Sequence, residues 1–421
     1  MRRVSLAGLA LVGALLLAIP SAFAKSDVVA ADPGVTATSI KIGGTFPLTG
    51  RAALYATIPS TMKAYFSYVN ATRGPDGKRG VRGRQIKFIV YDDAYNPTNS
   101  VQLTRKLVEE DRVFAVVGSL GTEVNMAIRP YLNQAKVPHM LVASGAETFA
   151  RDFKRYPWTT AWFPDYVSEG LIYGRHILQN SPNAKIGVIF QNDDYGKNLL
   201  YGLKVGLGRA KSNVVSEQAF DVTSPSPASQ IARLKGSGAT VFVIILTPTA
   251  TVQSYVAARA LAWKPDTIYT NSVSGTDTFL TTARNAGAGD LVEGTISIQY
   301  AKDPANPAWD NDAGMKLYRA VMSKYYPNGG NAQVQANGIN YYGVAVAHAF
   351  VQQLRKAGAN PTRESILRVA RTWNDVNPFL LPGNPQKTTA KSQFPIRGFR
   401  MVRFQGGKFS YMSPLIFPRG R

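Results

Sequence analysis

Phe114-Ala115-Val116-Val117-Gly118-Ser119-Leu120-Gly121-Thr122-Glu123 is the stretch that decides the fold. Four apolar residues without polar alternation read as a buried strand of the parallel kind. Two glycines carry the chain through a loop, and a helical pattern follows from about Val124 to Gln134. Strand, glycine-bearing loop and helix make half of a βαβ unit. In open parallel sheets, ligands bind outside the carboxyl ends of the strands. Loop N–H groups, the positive end of the next helix and the Ser119 and Thr122 hydroxyls together suit a small carboxylate. The next apolar strand, Met140-Leu141-Val142, ends in Ala143-Ser144-Gly145-Ala146, a loop of the same character. Both loops also read as plain helix caps.

Outward from this point the alternation continues. Upstream, Ile40 and Ile42 start a strand ending at Gly43-Gly44; Ile86, Phe88 and Val90 alternate as a half-buried strand does, and Thr98 to Asp111 carries Leu103, Leu107 and Val108 on one helical face. Downstream, a second block repeats the pattern. It has a strand over Lys185–Phe190, a helix with Tyr195, Leu199, Leu203 and Leu207 on one side, and a helix marked by Ile231 and Leu234. A buried strand over Val241–Leu246, a helix over Tyr255–Leu261 and an extended Thr267–Tyr269 follow. Tyr156-Pro157-Trp158-Thr159 separates the blocks. Later come a strand over Thr295–Tyr300, helices at Tyr318–Tyr325 and Tyr341–Leu354, and a hairpin turning at Gly406-Gly407. The fold class is α/β with parallel sheets flanked by helices.

The chain has 421 residues, 45% hydrophobic and 18% charged, which suits a folded chain of two or three units. Arg2 and Arg3, the uncharged run Leu6–Ile19 and Ala22-Phe23-Ala24 predict a signal peptide over residues 1–24, cleaved before Lys25. The chain contains no cysteine, which excludes disulfides, thiolate metal sites and lipid attachment at an N-terminal Cys. The net charge of +22 could serve nucleic acid, but the basic residues are scattered, no binding motif occurs and the leader points to export. Partnership with nucleic acid is therefore not expected.

Signals for catalysis are missing. There is no GxxxxGK[ST] loop, no complete GxGxxG and no GxSxG elbow. His139, His176 and His348 lack partners at metal-ligand spacing, so no metal site and no cofactor are expected. Asp92-Asp93 and Asp193-Asp194 sit at strand ends, where turn and capping roles outweigh acid–base work.

An ordered series of short motifs is more specific. Ile40-Lys41-Ile42-Gly43 is followed by Pro47-Leu48-Thr49-Gly50. Val90-Tyr91-Asp92-Asp93 precedes Asn96-Pro97. Lys106-Leu107-Val108 leads to Val116-Val117-Gly118. Val137-Pro138, Asp194-Tyr195-Gly196 and the Gly398–Phe404 tail complete it. In that order, over about residues 38–415, the chain resembles the leucine/isoleucine/valine-binding family, the exported substrate-binding proteins of ABC transporters. The resemblance implies two Rossmann-like lobes joined by a three-crossing hinge, with the ligand in the cleft between them. Lobe 1 would take 38–158 and 288–373, and lobe 2 would take 159–287 and 374–421. It further implies a periplasmic monomer that captures a small solute, an amino acid or another small carboxylate, by lobe closure and delivers it to an inner-membrane ABC permease. The same fold also serves ligand-sensing receptors.

Carried over by position, the resemblance implies that Tyr55 and Tyr195 wall the pocket from the two lobes. Gly121 and Thr122 would hold a ligand carboxylate, and Ser144, Gly145 and Ala146 would form a second loop beside them. Thr247 and Asn271 would lie at strand ends of lobe 2. One departure bears on the solute. The family's amino-acid binders place an acid on lobe 2, whereas here Thr270-Asn271-Ser272-Val273-Ser274-Gly275 has none before Asp277. An α-ammonium buried without an anion is costly, so an amine-free aromatic or aliphatic carboxylate, an amide or a urea-like solute competes with a branched-chain amino acid.

Overall fold

The computed structural model describes residues 32–418; the leader expected over residues 1–24 lies outside them. The elements before the first crossing are β1 (Ser39–Phe46), α1 (Ile58–Ala71), β2 (Gln85–Asp92), α2 (Pro97–Glu109), β3 (Ala115–Val117), α3 (Thr122–Gln134), β4 (His139–Val142), α4 (Thr148–Arg151) and β5 (Thr159–Ala161). The strands form a parallel sheet in the order β2-β1-β3-β4-β5, with Ile42 paired to both Phe88 and Ala115. Reversal of the strand order beside β1 opens a crevice at the β1 and β3 ends, where an α/β sheet binds ligands.

The second block runs α5 (Tyr166–Asn180), β6 (Ile186–Gln191), α6 (Asp194–Leu207), β7 (Val214–Phe220), α7 (Ala228–Gly236), β8 (Val241–Ile245), α8 (Pro248–Ala260), β9 (Thr267–Thr270), α9 (Asp277–Ala283) and β10 (Ile296–Gln299). After it come α10 (Ala313–Tyr325), α11 (Ala332–Gln335), α12 (Gly338–Lys356), α13 (Arg363–Arg371), the short pair β11 (Asn374–Asp375) and β12 (Gln386–Lys387), and the hairpin β13 (Arg400–Gln405) and β14 (Lys408–Tyr411). The second sheet has the order β14-β13-β10-β9-β8-β6-β7. Its hairpin strands are antiparallel and the others parallel.

This sheet membership moves the expected lobe boundaries. β5 extends the first sheet, so 159–161 go with lobe 1, and β10 extends the second, so 288–299 go with lobe 2. The segment after Trp373 also starts on lobe 1. Asn377 Nδ2 donates to the Ala345 carbonyl of α12 at 3.1 Å, and Thr388 Oγ1 to the Ala370 carbonyl of α13 at 2.9 Å. Only the hairpin returns to the second sheet. Strand character is local, but the free sheet edge a strand joins is a long-range choice, which periodicity does not carry.

A close helix contact follows from four glycines. α5 carries Gly170 and Gly174, and α6 carries Gly202 and Gly206, each pair one turn apart. A Cβ on Gly170 would run into the Leu199 carbonyl, one on Gly174 into the Leu203 carbonyl, and one on Gly202 into the Val167 carbonyl. The two backbones therefore touch, and the helix starts that carry Tyr166 and Tyr195 are held side by side. Replacing Gly202 with Ala forces the helices apart, and overpacking of this kind costs about 1–3 kcal/mol. The expected lowering of the melting temperature is readable by circular dichroism; an unchanged melt would show that the contact is slack.

Candidate functional site

The first wall of the site begins with two acids. Asp92 accepts from the Leu48, Thr49 and Ala94 N–H groups and from Thr49 Oγ1. Burial pushes its carboxyl up, but these bonds outweigh burial and hold it below the usual value. Asp93 accepts from the Tyr95 N–H and Ser100 Oγ, each at 2.9 Å. Together they fix Ala94 and Tyr95 in the left-handed region, at φ of 52° and 60°, a conformation that costs about 1–2 kcal/mol per residue. The outcome is positional: the Tyr95 ring comes to rest against Gly121. A Cβ there would stand 2.5 Å from the ring, and Gly121 has φ of 109°, so glycine is required twice over. The expected turn and capping roles of both acid pairs are seen, since Asp193 caps α6 through the Gly196 N–H at 3.0 Å.

The lobes are closed over a cavity of about 120 Å³. Tyr55 reaches across to donate to the Val273 carbonyl at 3.1 Å, and the Glu147 N–H donates to Asn198 Oδ1 at 2.8 Å. Nine of the residues lining the cavity are aromatic. Tyr166 and Tyr195 stand with ring centroids 5.0 Å apart, Phe163 meets Tyr300 at 5.2 Å, and Trp162 meets Tyr342 at 5.5 Å. The hydroxyls of Tyr195, Tyr341 and Tyr342 are buried without a partner. Burial pushes the Tyr55, Tyr166, Tyr195, Tyr300 and Tyr342 phenols far up, so all are neutral hydrogen-bonding groups.

Of the residues read from the sequence, Tyr55, Gly121, Thr122, Tyr195 and Thr247 line this cavity. Thr122 is 1% exposed, and its Oγ1 lies 2.7 Å from Ser144 Oγ. As the first residue of α3, Thr122 belongs to the turn whose N–H groups have no intrahelical partner. The Gly121 N–H, in contrast, is engaged with the Ala143 carbonyl at 3.3 Å. Four expectations are corrected, because Ser144, Gly145, Ala146 and Asn271 do not line the cavity. Ser144 stands behind Thr122 and accepts from the Ala146 N–H at 3.2 Å. Gly145 gives its carbonyl to the Tyr166 N–H at 3.0 Å, and Ala146 is fully buried. Asn271 ties two strand ends together, donating to the Ile244 and Leu246 carbonyls and accepting from the Val273 N–H.

Sequence reading missed most of the aromatic wall. Tyr300 follows β10 directly and Trp162 follows β5, so a strand-end rule would have found both. Glu169 was also missed. It is 1% exposed on α5 and accepts from the Ser272 N–H at 2.6 Å, Ser272 Oγ at 2.7 Å and Tyr173 at 2.9 Å. An acid therefore does stand behind the β9 end, but three donors occupy it. The histidines are each held by one close neighbour: His139 by Asn125, His176 by Tyr269 and His348 by Tyr65, all at 2.7 Å. Burial lowers His139 to about 3 and His348 to about 4, so both stay neutral at pH 7. Among the described residues no cluster of three or more metal-ligating side chains occurs, and no helix is long and apolar enough to cross a membrane.

Two α/β lobes closed on one aromatic cavity at their strand ends define a ligand-binding protein of the two-lobed kind. Residues 39–408 match the periplasmic binding protein family, and the chain belongs to it. It is 23% identical over 384 residues to the Leu/Ile/Val-binding protein homolog 2 of Brucella abortus, covering 90% of this chain and 94% of that one. The fold is that of a branched chain amino acid ABC transporter protein from Thermus thermophilus with bound valine, at a TM-score of 0.77 and 15% identity over 91% of this chain and 98% of that one. It is equally that of a solute binding protein of an ABC transporter from R. palustris in complex with benzoate, at a TM-score of 0.72 and 15% identity over 90% and 98% of the two chains.

Two predictions follow from these environments. Tyr195→Phe removes a buried hydroxyl that has no partner, so the unliganded protein should melt at the same temperature or higher; a clear loss of stability would show that the hydroxyl is bonded. Burial raises Glu169 from an ordinary value of 4.5 to about 7. The folded state then holds a proton that the unfolded chain has released. Its stabilisation is complete below pH 4.5 and is lost as pH rises through 7. Glu169→Gln mimics the protonated form, so wild type should lose stability relative to this variant between pH 4.5 and 8. Parallel melting curves across that range would contradict the assignment.

Proposed function

We propose that this protein is the exported solute-binding component of an ABC importer and that its solute is a single-ring aromatic carboxylate without an α-amino group. The observation that carries the reading is the cavity itself: about 120 Å³ and walled by the rings of residues such as Tyr55, Trp162, Tyr166 and Tyr195. A cavity of about 150 Å³ holds one benzene ring, so a ring with one small polar group is the right scale. The α3 start with Thr122, which Ser144 supports from behind, takes the carboxylate, and the tyrosine faces take the ring. Glu169, the acid behind the β9 end, is already occupied by Ser272 and Tyr173, and of the lining acids Asp277 is pushed toward its neutral form by burial and by Asp303 beside it. The leader over residues 1–24 supports export to the periplasm, where a monomer binds one solute, closes and presents it to an inner-membrane permease. It performs no chemistry on the solute.

Titration calorimetry with benzoate and L-leucine tests this. Wild type should bind benzoate and release no heat with leucine. Thr122→Ala should weaken benzoate by about 1.5–3 kcal/mol, the scale of a hydrogen bond to a charged group. Equal affinity in that variant would remove the carboxylate assignment, and binding of leucine alone would overturn the solute class.

A further inference from the structure

Gln386 lies on β12, outside the cavity lining, and is fully buried with half of its amide idle. Its Oε1 accepts from Trp162 Nε1 at 2.5 Å and from Asn377 Nδ2 at 3.3 Å, while its own Nε2 has no partner. The neighbours dictate which way this amide points. An indole N–H can only donate. Asn377 Oδ1 accepts from the Phe379 N–H at 3.0 Å, which leaves Asn377 Nδ2 to face Gln386. A flipped Gln386 would set its NH2 group against two donors. The oxygen therefore belongs where it is, and Nε2 is the group left over.

A residue selected for packing alone would differ. Leucine or methionine fills comparable space without a buried, unpaired donor, which costs stability. Glutamine is explained by the acceptor it offers to Trp162. That indole is part of the cavity wall, is 1% exposed and stands edge-on to Tyr342, with ring centroids 5.5 Å apart and planes at 62°. The Trp162 backbone N–H donates to the Val142 carbonyl at 3.3 Å. The residue is thus tied to β4 by its backbone and to β12 by its ring. The frame behind it is shared with its neighbour in the wall. β12 pairs with β11, and Asn377 Nδ2 also donates to the Ala345 carbonyl at 3.1 Å, on the helix α12 that carries Tyr342.

We infer that Gln386 is a positioning residue for ligand binding: its Oε1 fixes the Trp162 indole at the angle at which it walls the cavity beside Tyr342. Without that acceptor the indole N–H is buried and unpaired, and the ring turns to relieve it. Affinity then depends on a side chain that touches no ligand. The inference rests on the reading of this cavity as the solute site and goes beyond it, since it requires no particular solute.

Proton–nitrogen NMR of the purified protein, labelled in its five tryptophans, tests the positioning without any ligand. Trp162→Phe identifies the Trp162 indole signal by its loss. In wild type that proton should resist exchange with deuterated water. Gln386→Met should shift the signal and speed its exchange, whereas Gln386→Glu, which keeps an acceptor oxygen, should leave both close to wild type. Titration calorimetry with benzoate reads the consequence. Gln386→Met should weaken binding by about five- to tenfold, the scale of one lost hydrogen bond, and Gln386→Glu should restore it. Fast exchange of the Trp162 indole proton in wild type would overturn the inference without relying on a variant. Unchanged benzoate affinity in Gln386→Met, or equal losses in both variants, would also overturn it. A wild type that binds no benzoate removes the aromatic-carboxylate reading, and the ligand-free spectra still decide whether Gln386 holds the ring.

Discussion

A polar group buried without a partner costs about 1–3 kcal/mol, and three tyrosine hydroxyls, those of Tyr195, Tyr341 and Tyr342, are buried in this way among the residues that line one cavity. No packing argument explains them, because a phenylalanine would fill the same space without the penalty. The closed arrangement becomes economical once a ligand supplies the missing partners. The lobes come together through few direct bonds, such as Tyr55 to Val273 and Glu147 to Asn198. An enclosed solute adds contacts to both lobes at once, and that shifts the equilibrium toward closure.

The rest of the architecture holds those groups in place. The α5–α6 glycine contact keeps Tyr166 and Tyr195 side by side on the second lobe. On the first lobe, Asp92 and Asp93 hold two left-handed residues so that Tyr95 leans on Gly121. Strain of this size persists only where the surroundings over-determine it. Here the surroundings are hydrogen bonds from named backbone groups, so the constraint is local and legible.

Much of the fold could be read from the chain because its signals are local. Strands such as Val241–Ile245 are continuous apolar runs, α10 shows its face through Tyr318, Val321 and Met322, and the Gly406-Gly407 turn marks the final hairpin. α5 was harder, since its spacing of glycines matters more than its apolar stripe. The lobe boundaries were misplaced because β5 and β10 each join a sheet through pairing that only the folded chain reveals. The site divides in the same way. Residues at strand ends and helix starts, such as Thr122, Tyr195 and Thr247, could be found by position. Asn271 sits at a strand end too, yet its amide is spent on neighbouring carbonyls. Tyr341 and Tyr342 belong to a helix that the sequence does mark, α12, but nothing local tells that its start reaches the cavity, and Asp303 lies in the loop after β10. A net charge of +22 attracts anions at long range.

The central claim is that the cavity holds a ring acid and not a branched-chain amino acid. The most direct measurement is mass spectrometry of the small molecule released by denaturing protein purified, without refolding, from cells grown on mixed aromatic acids and amino acids. The account predicts about one equivalent of an aromatic carboxylate per chain. Recovery of leucine, isoleucine or valine at that stoichiometry would contradict it.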